Sequence, residues 1–135
     1  MDQKYSDAEL KKRLTPEQYH VLRERGQEYP GTGELLHENG RGMYICPVCG
    51  AELFSSDAKF ESKTPGLVGW PSFCEVANSD AIELKPDDRY GWDRTEVVCK
   101  TCGSHLGHFF DHDPLAPNGK HYCINSAALE FKRQN

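Results

Sequence analysis

An antiparallel, mainly β body behind two short helices, closed by a four-cysteine metal site, is the fold this sequence predicts. Three observations predict it. Two helix-start signals fall within the first eighteen residues; short runs of strand composition, separated by Gly, Pro, Asn and Asp, fill the chain from about Leu35 onward; and four cysteines form two matching CxxC pairs.

Size and charge narrow the field. A chain of 135 residues is one domain, spanning 1–135, and buries roughly two-thirds of its extended-chain surface. Sixteen basic against twenty-one acidic residues give a net charge of -5, the wrong sign for a protein that reads a phosphate backbone, so nucleic acid is not the expected partner. Met1-Asp2-Gln3-Lys4 leads into charged sequence, and no run of about 18 apolar residues follows, so no membrane span is expected. CxxC pairs without an apolar leader favour metal or redox use in a reducing compartment, and the expectation is a soluble, cytoplasmic protein.

The elements follow in order. Ser6-Asp7-Ala8-Glu9 has capping-box spacing before Leu10-Lys11-Lys12-Arg13, and Thr15-Pro16-Glu17-Gln18 repeats the signal with proline at the first helical position. The helical segment runs from about 6 to 26: Tyr19 and Leu22 face the body, His20 is read as a surface residue, and Gly26 is the expected stop. Tyr29-Pro30-Gly31-Thr32-Gly33 breaks regular structure and Asn39-Gly40 marks a turn. The β body, about 35–132, has strand composition at Met43–Ile45, Glu52–Phe54, Ala81–Leu84, Thr95–Val98, Leu106–Phe110, Tyr122–Ile124 and Leu129–Phe131. Pro86-Asp87-Asp88-Arg89 and the Asp111 to Lys120 tract are read as surface loops.

Cys46-Pro47-Val48-Cys49-Gly50 and Cys99-Lys100-Thr101-Cys102-Gly103 are the knuckles of a closed, four-cysteine structural site, in which the glycine lets the chain turn so that backbone amides point at sulfur. Four thiolates suit tetrahedral zinc, Zn2+, with no open position for a substrate. A redox-active CxxC and a rubredoxin-like iron site are the rival readings. On the zinc reading the knuckles clamp the two ends of the β body.

Cys123 and Cys74 remain without a structural assignment. A spare cysteine is either a small buried apolar residue or a reactive thiol. The surroundings of Cys123 point to chemistry. His105, His108, His112 and His121 place four of the six histidines within seventeen residues just before or beside it. Gly69-Trp70-Pro71-Ser72-Phe73 sets an indole between a permissive and a rigid backbone residue, suited to display on a loop, with a core tryptophan as the alternative.

Gly69-Trp70-Pro71-Ser72-Phe73, His105-Leu106-Gly107-His108-Phe109-Phe110, Cys123-Ile124-Asn125-Ser126 and the paired knuckles, in this order over nearly the whole chain from Leu10 to Phe131, resemble the B class of methionine sulfoxide reductases. The resemblance implies a zinc-bearing Mss4-like β-tent of two antiparallel sheets and the thiol-dependent reduction of methionine-R-sulfoxide. It implies that Cys123 is the nucleophile, passing through a sulfenic acid, and His108 the acid, with His105 orienting the centre and Asn125 hydrogen-bonding the oxygen or the substrate. Trp70, Phe109 and Phe110 would line the substrate pocket, and thioredoxin or a similar thiol reductant would regenerate the enzyme.

Three departures from the family pattern stand out. His121 takes the place of the usual arginine two residues before the nucleophile. His112 falls where an aspartate is common, so this histidine, between Asp111 and Asp113, would stand in for it on the substrate side. The expectation is that protonated His121 lowers the pKa of Cys123. The usual resolving cysteine is Val68, which leaves Cys74 as an internal resolving thiol or direct reduction by an external thiol, thioredoxin or glutaredoxin, as the open routes.

Two other classes compete. A zinc-clamped β-tent also serves as a noncatalytic binding or chaperone module, because fold alone does not fix function; against it stands the combined set Trp70, His105, His108, Cys123 and Asn125. A zinc hydrolase would need a ligand unit such as H-E-x-x-H, which the chain lacks, and its zinc would already be saturated by four cysteines.

Overall fold

A computed structural model describes residues 6–88 and 94–134. Both helix signals act where expected. The Ser6 side chain accepts from the Glu9 amide to open α1 (Asp7–Arg13), and Thr15 and Gln18 form a reciprocal capping box at the start of α2 (Pro16–Glu24). Leu10, Val21 and Leu22 are buried, whereas His20 is exposed beside Glu24. The end of α2 differs from the expectation: Arg25, not Gly26, takes the left-handed cap, with φ 59 and ψ 36.

Nine strands follow among the described residues: β1 (Gly42–Ile45), β2 (Glu52–Ser55), β3 (Lys59–Phe60), β4 (Ser72–Phe73), β5 (Ile82–Asp87), β6 (Arg94–Cys99), β7 (His105–Phe110), β8 (His121–Ile124) and β9 (Glu130–Arg133). They form two antiparallel sheets, one ordered β2-β1-β9 and the other β3-β4-β8-β7-β6-β5. The two-residue strands β3 and β4 were not expected; so few residues carry no alternation for a sequence to display. The expected Pro86–Arg89 loop is also corrected. Pro86 and Asp87 belong to β5, at the sheet's edge, where a missing amide is tolerated, while Arg89 lies outside the described residues.

Aromatic rings join the sheets. Phe54 stacks on Phe73 at 4.5 Å, Tyr44 meets Phe73 edge-on at 5.0 Å, and Tyr122 lies between Phe54 and Phe109. Tyr44, Leu53 and Phe54 come from the smaller sheet, and Phe73, Val97, Leu106, Tyr122 and Ile124 from the larger. Burial of this kind contributes roughly 1.5–3 kcal/mol per large apolar side chain.

The second link between the sheets is the cysteine cluster. Cys46 follows β1 and Cys99 ends β6, and the four Sγ atoms of Cys46, Cys49, Cys99 and Cys102 all lie within 4.8 Å of one another. Sulfurs around one tetrahedral ion at about 2.3 Å would be about 3.8 Å apart; Cys46–Cys102 is 3.7 Å and Cys49–Cys99 3.5 Å. Gly50 and Gly103, at φ 81 and 77, turn each knuckle and donate their amides to the Cys46 and Cys99 carbonyls. Hydrogen bonding to neighbouring thiols and burial push Cys46 upward, so joint ionisation calls for a cation. The donor set fits a tetrahedral metal ion. Since such binding contributes on the order of 10 kcal/mol to folding, strong chelation or Cys46→Ser is expected to lower the melting temperature by more than about 10 °C. An unchanged melting curve would remove the clamp.

Candidate active site

Side-chain parity on β8 builds the site. Tyr122 and Ile124 face the core, so His121 and Cys123 face away from it. Cys123 lies opposite Ser72 of β4 on one side and His108 of β7 on the other, and His108 in turn lies opposite Glu96 of β6. Four strands thus present Ser72, Cys123, His108 and Glu96 as one row across the outer face. Close approach of β7 to β8 requires Gly107, where a Cβ would run into the Cys123 carbonyl.

Over this row lies a small pocket of about 60 Å³, lined by Gln27, Leu67, Trp70, His108, Phe110, Cys123 and Asn125 among others. Trp70 is half-buried, with its indole Nε1 donating to the Glu28 carbonyl at 3.0 Å. The Gly31 amide donates to the Gly69 carbonyl, tying the segment after α2 to the tryptophan loop. Asn125 donates from Nδ2 to Leu106 O at 3.1 Å and accepts from the Glu28 amide at 3.1 Å, bridging β7 and that same segment.

Phe109 and Phe110 part company. Phe110 faces the pocket, whereas Phe109 packs on Tyr122 with ring centroids 4.5 Å apart, in the core. Only the register tells neighbours on one strand apart. His112 lies outside the pocket lining: its side chain is 92% exposed, its φ is 61, and its contact is Asp111.

Three histidines are each held by a carboxylate. His105 Nδ1 is 2.7 Å from Glu96 Oε2, and His108 Nε2 is 2.7 Å from Asp87 Oδ2. His121, fully buried, has Nδ1 2.8 Å from Asp113 Oδ2 and Nε2 2.8 Å from Ser72 Oγ. Asp113, rather than His112, is therefore the acidic partner at this position. It also accepts from Thr64 Oγ1 at 2.7 Å and from the Leu115 amide at 3.0 Å. Burial pushes its carboxyl up, but the bonds from His121, Leu115 and Thr64 outweigh this and hold it below the ordinary range.

Burial sets the charge states nearest Cys123. Desolvation, then the Glu28 carboxylate, pushes the Cys123 thiol up to about 12. Glu28 is itself raised by burial, against two amide bonds at 2.9 Å from Ser126 and Ala127. His108 is lowered: burial dominates, Asp87 opposes it, and Arg94 and His105 add to the lowering. The resting pocket therefore favours a neutral thiol beside a neutral imidazole.

Cys74 follows β4 and does not line this pocket. Cys74 lies two residues beyond Ser72, the partner of Cys123, and past the end of the β4–β8 pairing. Both cysteines are free thiols here.

Asp87, Glu96, Asp113, Glu28 and Gln27 had no local signature as site residues, and Ser72 stood out only as part of the tryptophan stretch. Asp113 came nearest, within the Asp111-His112-Asp113 triplet.

Comparison with known proteins places this geometry in a family. The SelR domain model matches residues 14–133. A peptide methionine sulfoxide reductase MsrB of Methanosarcina barkeri is 57% identical over 129 residues, covering 96% of this chain and 87% of the relative. The protein of that name from Leifsonia xyli is 52% identical over 130 residues, 96% of this chain and 91% of its own length. Methionine-R-sulfoxide reductase B3, mitochondrial, of Mus musculus is 51% identical over 127 residues, 94% of this chain and 48% of the mouse protein. The match runs through both knuckles, Trp70 and Cys123, and the chain belongs to the SelR-domain family.

Proposed function

We propose that the chain is a peptide-methionine (R)-S-oxide reductase in which Cys123 is the nucleophile. The observation that carries this reading is the row Ser72–Cys123–His108–Glu96 beneath a pocket walled by Trp70, Phe110 and Asn125. A binding module has no use for a thiol flanked in this way, and the names of the relatives support the same activity.

In this mechanism the Cys123 sulfur attacks the sulfoxide sulfur while His108 protonates the oxygen. His108 Nε2 is occupied by Asp87, so Nδ1 is the nitrogen left to carry the transferred proton. Two electrons pass from Cys123 to the substrate: the sulfoxide S–O bond breaks, methionine leaves, and Cys123 keeps the oxygen as a sulfenic acid. Trp70 and Phe110 hold the methyl group, and the remaining Nδ2 hydrogen of Asn125 is available to the oxygen. His105 orients the acid from its place on Glu96, with its ring 5.5 Å from that of His108.

His121 acts on Cys123 through Ser72, since both its nitrogens are occupied. As an imidazolium it favours the thiolate, opposing burial and Glu28. His112 stays in solvent at the rim of the loop that Asp113 anchors, available only to the parts of a polypeptide substrate outside the pocket. Regeneration uses an external thiol: it attacks the sulfenic acid, water leaves, and a second thiol resolves the mixed disulfide. A dithiol such as thioredoxin supplies both equivalents. The cysteine cluster holds structural Zn2+, favoured by an all-thiolate tetrahedral donor set.

Three measurements test this reading. With dithiothreitol and each separated diastereomer, only the R form of methionine sulfoxide should turn over, and Cys123→Ser should lose at least about a thousandfold in rate; turnover of the S form alone would reverse the assignment. After one equivalent of substrate without reductant, mass spectrometry should find one oxygen on Cys123 and a free Cys74, whereas a Cys74–Cys123 disulfide would make Cys74 the resolving thiol. Thiol alkylation against pH should place the Cys123 titration lower in Glu28→Gln and higher in His121→Ala than in the parent. Identical curves for His121→Ala and parent would end the role given to His121.

A further inference from the structure

Arg25 adopts the left-handed conformation that closes α2, which costs a non-glycine residue roughly 1 kcal/mol, although Gly26 stands beside it. Its side chain reaches the carboxylates behind the site. Nε donates to Glu96 Oε2 at 3.2 Å and Nη2 to Glu96 Oε1 at 2.8 Å, while Nη2 is also 3.6 Å from Asp87 Oδ1. Glu96 holds His105 and Asp87 holds His108. One guanidinium therefore bridges both carboxylate–imidazole pairs.

We propose that Arg25 is a positioning residue for the reduction, neutralising Glu96 and Asp87 together so that both remain ionised acceptors and His108 keeps its Nε2–H on Asp87, with Nδ1 left to exchange a proton. The proposal deepens the reading of His108 as the acid and rests on it for its catalytic meaning. The two carboxylate side chains are 6% and 0% exposed. Burial alone would protonate such groups. Glu96 is raised by desolvation, yet ends below its ordinary value because His105 and Arg25 outweigh it.

Among the described residues, the groups facing His108 are Asp87 from β5, Arg94 and Glu96 from β6, His105 from its own strand, Cys123 from β8, and Arg25 from the end of α2. Arg94, 3.8 Å from Asp87, is a further cation beside that carboxylate. Arg25 joins Asp87 to Glu96 as well. When Arg25 is removed, two buried negative charges lose a shared cation, and the more negative surroundings favour a proton on His108, 2.7 Å from Asp87. The sign is therefore upward: His108 should hold its proton to higher pH.

The experiment follows the His108 imidazole by NMR through a pH titration of the metal-loaded protein, alongside the pH dependence of kcat. Arg25→Met should raise the His108 midpoint by about half a unit or more and move the alkaline limb of the rate profile the same way. Arg25→Lys, which keeps the charge, should restore the parental midpoint. If Arg25→Met does not fold, Arg25→Gln replaces it and is held to the same outcomes. A neutral variant that loses rate equally at every pH, with the His108 midpoint unmoved, would reduce Arg25 to a structural cap and overturn the proposal. A moved midpoint with an unmoved rate profile would remove His108 as the acid and, with it, the role of Arg25 in the reduction, whereas an unmoved midpoint would overturn the role of Arg25 alone.

Discussion

The two-residue period of β8 is the constraint on which the rest of the structure depends. Tyr122 and Ile124 must face the core, and Cys123 is delivered to the outer face as a consequence. A slip of one residue would bury the thiol among Phe54, Phe73 and Phe109 and expose the tyrosine. Several contacts oppose that slip: the rings on either side of Tyr122, the Ile124 amide on Pro71 O at 2.9 Å, and the Asn125 amide on Leu106 O at 3.0 Å. Aromatic pairs of this kind add about 0.5–1.5 kcal/mol each beyond area burial. Residues with no chemistry of their own thus decide where the chemistry sits.

Dryness is the second consequence. Every imidazole on the outer face of the larger sheet's central strands has a carboxylate partner, and each of those carboxylates is buried. In such surroundings an unpaired charge is costly, and the Cys123 thiol, itself half-buried, is pushed up. A protonated thiol is a poor target for oxidants free in solution. The same burial that quietens Cys123 also lowers His108, so both groups change charge only when something in the pocket compensates them. On the proposed mechanism, a sulfoxide oxygen that accepts a proton as its sulfur is attacked would provide that compensation within one bound substrate.

What the sequence displayed was local. The helix-start signals at Ser6 and Thr15, the strand runs from Met43 to Phe131 and the CxxC pairs each lie within a few residues, and each formed the element expected. The site was legible as Cys123, His108, Trp70 and Asn125, which came together at one pocket. Its supporting layer was not. Phe109 and Phe110 are indistinguishable until pairing with Tyr122 and His121 sets their parity. Asp87, Glu96 and Arg25 sit on three different elements and meet only through the fold. Asp113 was overlooked because His112 occupied the position that a motif would nominate, while left-handed backbone at His112 turns the chain and brings the next residue inward.

The four-cysteine cluster and the candidate site share a hairpin. The second knuckle, Cys99 to Gly103, is itself the turn between β6 and β7. Glu96 lies just before it and His105 just after it, and a register shift between Val97 and Val98 separates their pairing from the ligands. Arg23 adds a bond from α2 to the Cys102 carbonyl at 3.1 Å, close to where Arg25 holds Glu96. The knuckle closes the β6–β7 hairpin, and beyond the register shift Glu96 lies opposite His108, which lies opposite Cys123 on β8. An ion held by the four cysteines would steady the turn before β7 and, through it, the placement of His108 beside Cys123.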